Sequence, residues 1–181
     1  MNKLALALAT ATLALSVPTT PAAASFETAE AKIAASEAAA VAREHMEDVF
    51  AGKELKPGQF VWRDTGATGA PRVVVSLSDQ LAYVYRGDTL VAVSTVSTGT
   101  EQNPTPTGIF PILEKKPMHR SRKYDNAPMP FMQRIDKYGI ALHAGALPGY
   151  PASHGCIRLP AKFAAKLYGV TSVGATVMIG A

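Results

Sequence analysis

The chain has 181 residues, a formal net charge of +4, 48% hydrophobic residues and one cysteine. That length suits one domain with a real core and a short extension, and two full domains would be crowded. A lone cysteine excludes an intramolecular disulfide framework.

Lys3 precedes an apolar run from Leu4 to Val17, and Ala22, Ala23 and Ala24 follow as a small-residue cleavage site. The run holds 14 residues, fewer than the roughly 20 that cross a bilayer, so a signal peptide over 1–24 is expected rather than stable membrane insertion. The mature protein is then exported, to the periplasm or cell wall. Charge divides unevenly beyond that point. Residues 25–51 carry Lys32 and Arg43 against six acidic residues, whereas 52–181 carry 15 basic against 8 acidic ones. A basic exported domain favours anionic envelope polymers or peptide carboxylates over nucleic acid, with plain solubility as the competing explanation.

Phe26 to Ala51 is rich in Ala and Glu and has no Gly or Pro before Gly52, which predicts a helix. Ile33, Ala40 and Val41 share a weak apolar face, and Met46, Val49 and Phe50 cluster better near the end. Only the C-terminal turns are therefore expected to dock, and the helix reads as a spacer with His45 in solvent. From Phe60 onward, short β-branched and alternating runs predict a mainly β domain. Arg72–Leu77, Leu81–Arg86 and Leu90–Val96 are joined by Ser78-Asp79-Gln80 and Gly87-Asp88-Thr89, turns short enough for antiparallel hairpins. Further strands are expected at 108–114, 130–135, 139–143 and 175–179, and one helix from Pro160 to Gly169. Trp62 is expected to pack near the domain edge. Met129, Phe131 and Met132 read as core or loop packing.

The chemistry concentrates between Gly139 and Leu159. His143 ends a buried run, a Gly/Pro loop follows, and the chain returns through Ser153-His154-Gly155-Cys156-Ile157-Arg158. An exported lone thiol beside histidine and glycine suits nucleophilic catalysis, because an imidazole takes the thiol proton and later delivers it to a leaving amine. His143 and His154 are both candidates for that base on the residues alone. The amides around His154, Gly155 and Cys156 suit an oxyanion, and a side chain at Gly155 would obstruct them. One Cys and two His without a carboxylate make a poor zinc site, so neither metal nor other cofactor is expected. The basic stretch Lys115, Lys116, His119, Arg120, Arg122 and Lys123 is either a solvated loop or an attractor of carboxylates, with Tyr124 placed to cover the groove.

At these residues the chain resembles the L,D-transpeptidase catalytic domain, the YkuD-type family, whose pattern is a histidine, a loop, then [Ser/Thr]-His-Gly-Cys, an apolar residue and Asn or Arg. Asp79-Gln80-Leu81 with Tyr83 and Tyr85, Val96-Ser97-Thr98-Gly99 and Thr105-Pro106-Thr107-Gly108-Ile109-Phe110 are similar too. The resemblance covers about residues 72–180 and leaves the N-terminal helix out. It implies packed, mainly antiparallel β-sheets, sandwich- or barrel-like, with one or two short helices, as a catalytic domain over 60–181 behind a helix at 25–52. It implies Cys156 as nucleophile, His143 as base oriented by the Ala144 carbonyl, His154 and Gly155 as loop and oxyanion support, and Ser153, Arg158 and Tyr124 near substrate. The implied substrates are peptidoglycan stem peptides: a thioester forms as D-alanine leaves a tetrapeptide, then passes to a diamino-acid amine in a 3-to-3 cross-link. Water as acceptor gives a carboxypeptidase, and a lysine of an envelope protein gives protein anchoring. A wall-binding module that kept the fold is the non-enzymatic alternative. A papain-like endopeptidase fits poorly, because here the histidine precedes the cysteine. Two departures stand out: the loop from His143 to Ser153 is shorter than in many members, and Ala144 stands where glycine is common.

Overall fold

The computed structural model describes residues 26–51 and 53–181. The expected signal peptide and Gly52 lie outside the described residues. Helix α1 (Ala29–Phe50) begins at Thr28, whose hydroxyl accepts the Ala31 amide, and ends at Ala51 in the left-handed region at φ 53°. Then come β1 (Phe60–Trp62), β2 (Pro71–Ser76), β3 (Leu81–Arg86), β4 (Thr89–Thr95) and β5 (Gly108–Pro111), followed by β6 (Glu114–Arg120), β7 (Pro128–Arg134), β8 (Ala141–Ala144) and β9 (Ile157–Leu159). Helix α2 (Ala161–Val170) and β10 (Thr176–Gly180) complete the chain. No described helix is long and apolar enough to cross a membrane.

The strands form a six-stranded sheet in the order β1-β4-β3-β2-β10-β5 and a four-stranded sheet in the order β6-β7-β8-β9. Most neighbours are antiparallel, as expected, but β2–β10 and β8–β9 run parallel. The expected strand over 108–114 is divided: β5 pairs with β10, and β6 starts the other sheet. Alternation decides which layer each side chain enters. In β3, Ala82 and Val84 join the main core between the sheets and α2, whereas Tyr83 and Tyr85 face the opposite side, against α1. The register slips between Val84 and Tyr85, and the skipped Val91 joins Ala92 in the main core.

Helix α1 corrects the expectation of a loosely tethered spacer. Its buried face is Ala31, Ala35, Ala39, Ala42 and Met46, so it lies on the six-stranded sheet along its length. Ile33, Ala40 and Val41, which share the weak apolar face, are exposed, and of the cluster expected to dock Met46 is buried while Val49 is exposed. The reason is steric. A Cβ at Gly180 would stand 2.6 Å from the Ala35 carbonyl oxygen, so this end of β10 admits only a small-residue face at backbone distance. His45 is half-buried rather than solvated, with Nδ1 3.0 Å from the Tyr85 hydroxyl. Ahead of the helix, Phe26 exchanges two backbone hydrogen bonds with Ile109 and extends the sheet beyond β5.

Candidate active site

His143 and Cys156 are set on one sheet face by the parallel pair β8–β9, in which Leu142 faces Ile157 and His143 faces Arg158. One step back along both strands sets Cys156 beside Ala141. Side chains two apart share a sheet face, so Ala141, His143 and Cys156 look the same way. Packing agrees: Cys156 rests against Ala141, Met129 and Met132, while Leu142 and Ile157 enter the main core on the other face. The turn into β8 is built by Asp136, whose Oδ1 accepts the amides of Tyr138, Gly139 and Ile140. That turn presents the Gly139 carbonyl to the thiol, with Sγ and oxygen 3.8 Å apart.

The imidazole of His143 is buried, and its Nδ1 lies 2.8 Å from the Ala144 carbonyl. A carbonyl only accepts, so Nδ1 carries the proton and Nε2 keeps a lone pair. Burial pushes the His143 pKa below its ordinary value, partly offset by the Ala144 hydrogen bond; the charges of Arg158 and His119 push the same way as burial. Burial raises the Cys156 thiol above its ordinary value; the Ala141 backbone hydrogen bond and Arg158 oppose this, and Asp136 adds to it. Both shifts favour a neutral thiol beside a neutral imidazole over a resting ion pair. The cysteine is partly open to solvent.

Gly155 has φ +107°, and a Cβ there would lie 2.6 Å from Ile140 Cδ1. Its amide donates to Ser153 Oγ at 3.0 Å, and the same hydroxyl donates to the Cys156 carbonyl. Ser153 is 2% exposed, and its hydroxyl ties the loop. The Gly155 amide, expected in the oxyanion set, is already engaged. The amides of His154 and Cys156 have no protein acceptor among the described residues.

His154 is exposed and stacks on Tyr124, ring centroids 4.2 Å apart. Tyr124 lies at the tip of the β6–β7 hairpin, which thereby reaches over the cysteine loop. Arg158, half-buried on β9, lays its stem against Gly145 and enters no ion pair among the described residues. Lys115 is not a carboxylate attractor: its ammonium caps the end of α2, donating to the carbonyls of Tyr168 and Thr171 at 2.7 and 2.6 Å. Lys116 pairs with Glu114, which also holds Arg134; these two partners bring the Glu114 carboxyl down to about 2.

A supporting network went unassigned in the sequence. Thr105 is buried, accepts the Gly99 amide and donates to the Gly155 carbonyl, both at 2.8 Å. Gln80 accepts the Thr98 amide at 3.1 Å and donates to its hydroxyl at 2.7 Å. The Thr98 carbonyl in turn accepts the amides of Ala152 and Ser153. The three upstream motifs thus converge on the loop before Cys156. Their glycine, threonine and glutamine content was the available signal, but contacts between residues as far apart in the chain as Thr98 and Ser153 leave no local period to read.

Solved structures repeat this arrangement of sheets. An L,D-transpeptidase from Stackebrandtia nassauensis is 29% identical, with TM-score 0.57 over 62% of this chain and 56% of its own. One from Mycobacterium smegmatis is 24% identical, with TM-score 0.57 over 61% of this chain and 58% of its own. L,D-transpeptidase 3 from Mycobacterium tuberculosis, in complex with a faropenem-derived adduct, is 23% identical, with TM-score 0.57 over 62% of this chain and 60% of its own. The chain thus spans under two thirds of their length. No curated protein matches it. The family model of the L,D-transpeptidase catalytic domain, YkuD, matches residues 70–179, from the start of the central strands to the last one, and with it the chain belongs to that family.

Proposed function

We propose that the protein is a peptidoglycan L,D-transpeptidase acting outside the cytoplasm, in the periplasm or cell wall, with Cys156 as nucleophile and His143 as base. The observation that carries this reading is the His143 ring, held by its Nδ1 proton on the Ala144 carbonyl, on the sheet face that also bears Cys156. As sulfur attacks the carbonyl carbon of the third residue of a tetrapeptide stem, its proton passes to Nε2 of His143. The amides of His154 and Cys156 receive the oxyanion. When the intermediate collapses, the carbon–nitrogen bond breaks, the imidazolium proton goes to the departing amine of D-alanine, and a thioester remains. A diamino-acid amine of a second stem then attacks, His143 takes its proton, and the carbon–sulfur bond breaks to return the thiol and leave a 3-to-3 cross-link.

Neutral partners suit this sequence of transfers, because the proton moves with the attack and no imidazolium waits to repel the incoming amine. Arg158 is unpaired among the described residues and lies in register with His143, so it serves the carboxylate of the donor stem. Tyr124 closes the opposite side through its stack on His154.

The test is incubation of wild-type and Cys156→Ala protein with a carbapenem, read by intact mass, together with product analysis on tetrapeptide-bearing sacculi. The expected result is one adduct in the wild type and none in the variant, with D-alanine released and 3-to-3 dimers formed. Shortened stems without dimers would assign a carboxypeptidase, and transfer to a lysine of an envelope protein would assign an anchoring enzyme. Sacculus binding without D-alanine release or acylation would assign a wall-binding module.

A further inference from the structure

A cavity of about 670 Å³ lies between the last turns of α1, the segment 53–57 and the end of β4. Neither His143 nor Cys156 lines it. Its size falls within the range of sites that enclose small ligands. The floor is apolar, made by Met46, Leu55, Leu81 and Val96. Around the rim Arg43 and Asp79 are paired at 3.1 Å, whereas Glu47, Glu54 and Lys53 enter no ion pair among the described residues. The free charge at the mouth is thus predominantly anionic. An apolar floor and a rim on which unpaired carboxylates outnumber the unpaired ammonium suit a short peptide that carries a free amine.

Two walls of the cavity are supports of the catalytic loop. Gln80 holds Thr98, whose carbonyl holds Ala152 and Ser153. Gly149 belongs to the loop between His143 and Cys156 and lies directly against Pro57, where an added Cβ would stand 2.8 Å from the proline ring. Its neighbour Tyr150 is tied by its carbonyl to the Ser97 hydroxyl at 2.8 Å. A molecule in the cavity touches both supports without touching the thiol.

We propose that this cavity is a second binding site, for a short amine-bearing peptide, and that its occupation firms the catalytic loop through Gln80 and Gly149. The identity of the occupant rests on the reading of the chain as a stem-peptide enzyme: it is an uncross-linked stem with a free diamino-acid amine, so the supply of acceptor stems sets the readiness of the nucleophile.

The probe is the tripeptide L-Ala-γ-D-Glu-L-Lys, titrated by amide-resolved NMR into the full chain carrying Cys156→Ala. Shifts are expected at the amides of Leu55, Leu81, Val96 and Gly149, with affinity falling about tenfold or more in a Glu47→Lys, Glu54→Lys variant, whose changed side chains are exposed. Shifts confined to the surroundings of His143 and Cys156, no shifts, or an affinity unmoved by the two reversals would overturn the site. In wild-type protein, saturating tripeptide is expected to raise the rate of carbapenem acylation about fivefold and to leave the doubly reversed variant unaffected. An unchanged or reduced wild-type rate overturns the coupling. A thiol that takes up no carbapenem overturns the enzymatic reading instead, and the titration decides the cavity by itself.

Discussion

The fold contains two parallel strand pairs, and they serve opposite ends. In β2–β10 five consecutive residues face one another from Arg72 and Thr176 onward; Val73, Val75, Val177 and Ile179 fill the main core, and α1 covers the other face. In β8–β9 only three residues face one another, and the pair starts where the chain leaves a tight glycine turn. Parallel pairing brings side chains of equal step abreast in both. Where both faces are covered the result is core. Where one face opens at the strand start, the same geometry sets an imidazole and a thiol on one face.

That contrast predicts that equal disturbance costs function on one pair and only stability on the other. The largest effect is expected for Gly155→Ala. The new side chain meets Ile140 Cδ1 at 2.6 Å in a backbone conformation at φ +107°, with about 1–3 kcal/mol of stability lost and acylation of Cys156 slowed about 100-fold by displacement of the nucleophile. Thr105→Val comes next. It leaves the Gly99 amide and the Gly155 carbonyl without their partner, lowering stability by about 1–3 kcal/mol and acylation by a smaller factor, measured by thermal unfolding beside the mass-shift rate. On the other pair, Ile179→Val trims a fully buried side chain and is expected to cost about 0.5–1.5 kcal/mol while leaving the acylation rate within about twofold of wild type. A large rate loss in Ile179→Val, or none in Gly155→Ala, would dissolve the distinction between the two pairs.

Titration sharpens it further. His143 has a pKa lowered by burial from its ordinary 6.5, so as pH falls below 6.5 the unfolded chain gains a proton before the folded one, and stability falls until the folded ring titrates too. Cys156 has a pKa raised by burial from its ordinary 9.0; above that pH the unfolded thiol ionises first, and stability falls again as pH rises. The acid limb of the acylation rate is accordingly expected below pH 6.5. Denaturant unfolding across pH, compared with His143→Gln, checks the first statement, since the variant should lose the acid-side dependence attributed to that ring.

The local parts of this molecule were legible in the sequence. Alternation in Leu81–Arg86 by itself puts Tyr83 and Tyr85 on one face and Ala82 and Val84 on the other, and the two cores receive them in that way. The Ser-His-Gly-Cys string marked its loop because each residue type there has a chemical or conformational reason. Strand partners were not legible, since a period of two says which face a residue takes and nothing about its neighbour in the sheet. The docking face of α1 was misread for a related reason. The larger side chains Met46, Val49 and Phe50 pointed to the last turns alone, yet the backbone at Ala35 approaches Gly180 closely and Ala35, Ala39 and Ala42 are buried along the helix. Gln80 read as a turn residue and Thr105 only as part of a motif without a role, and only the folded chain brings them to the loop that carries the thiol.

The two histidines decide the proposal, in which the buried ring held by its own strand would serve Cys156 and the exposed ring stacked on Tyr124 would serve the loop. The most direct measurement is the rate of Cys156 acylation by a carbapenem at neutral pH in His143→Gln and His154→Gln. The expected result is a loss of about 100- to 10,000-fold in the first and less than about tenfold in the second, with both proteins folded. Equal losses, or the larger loss at His154, would contradict the assignment.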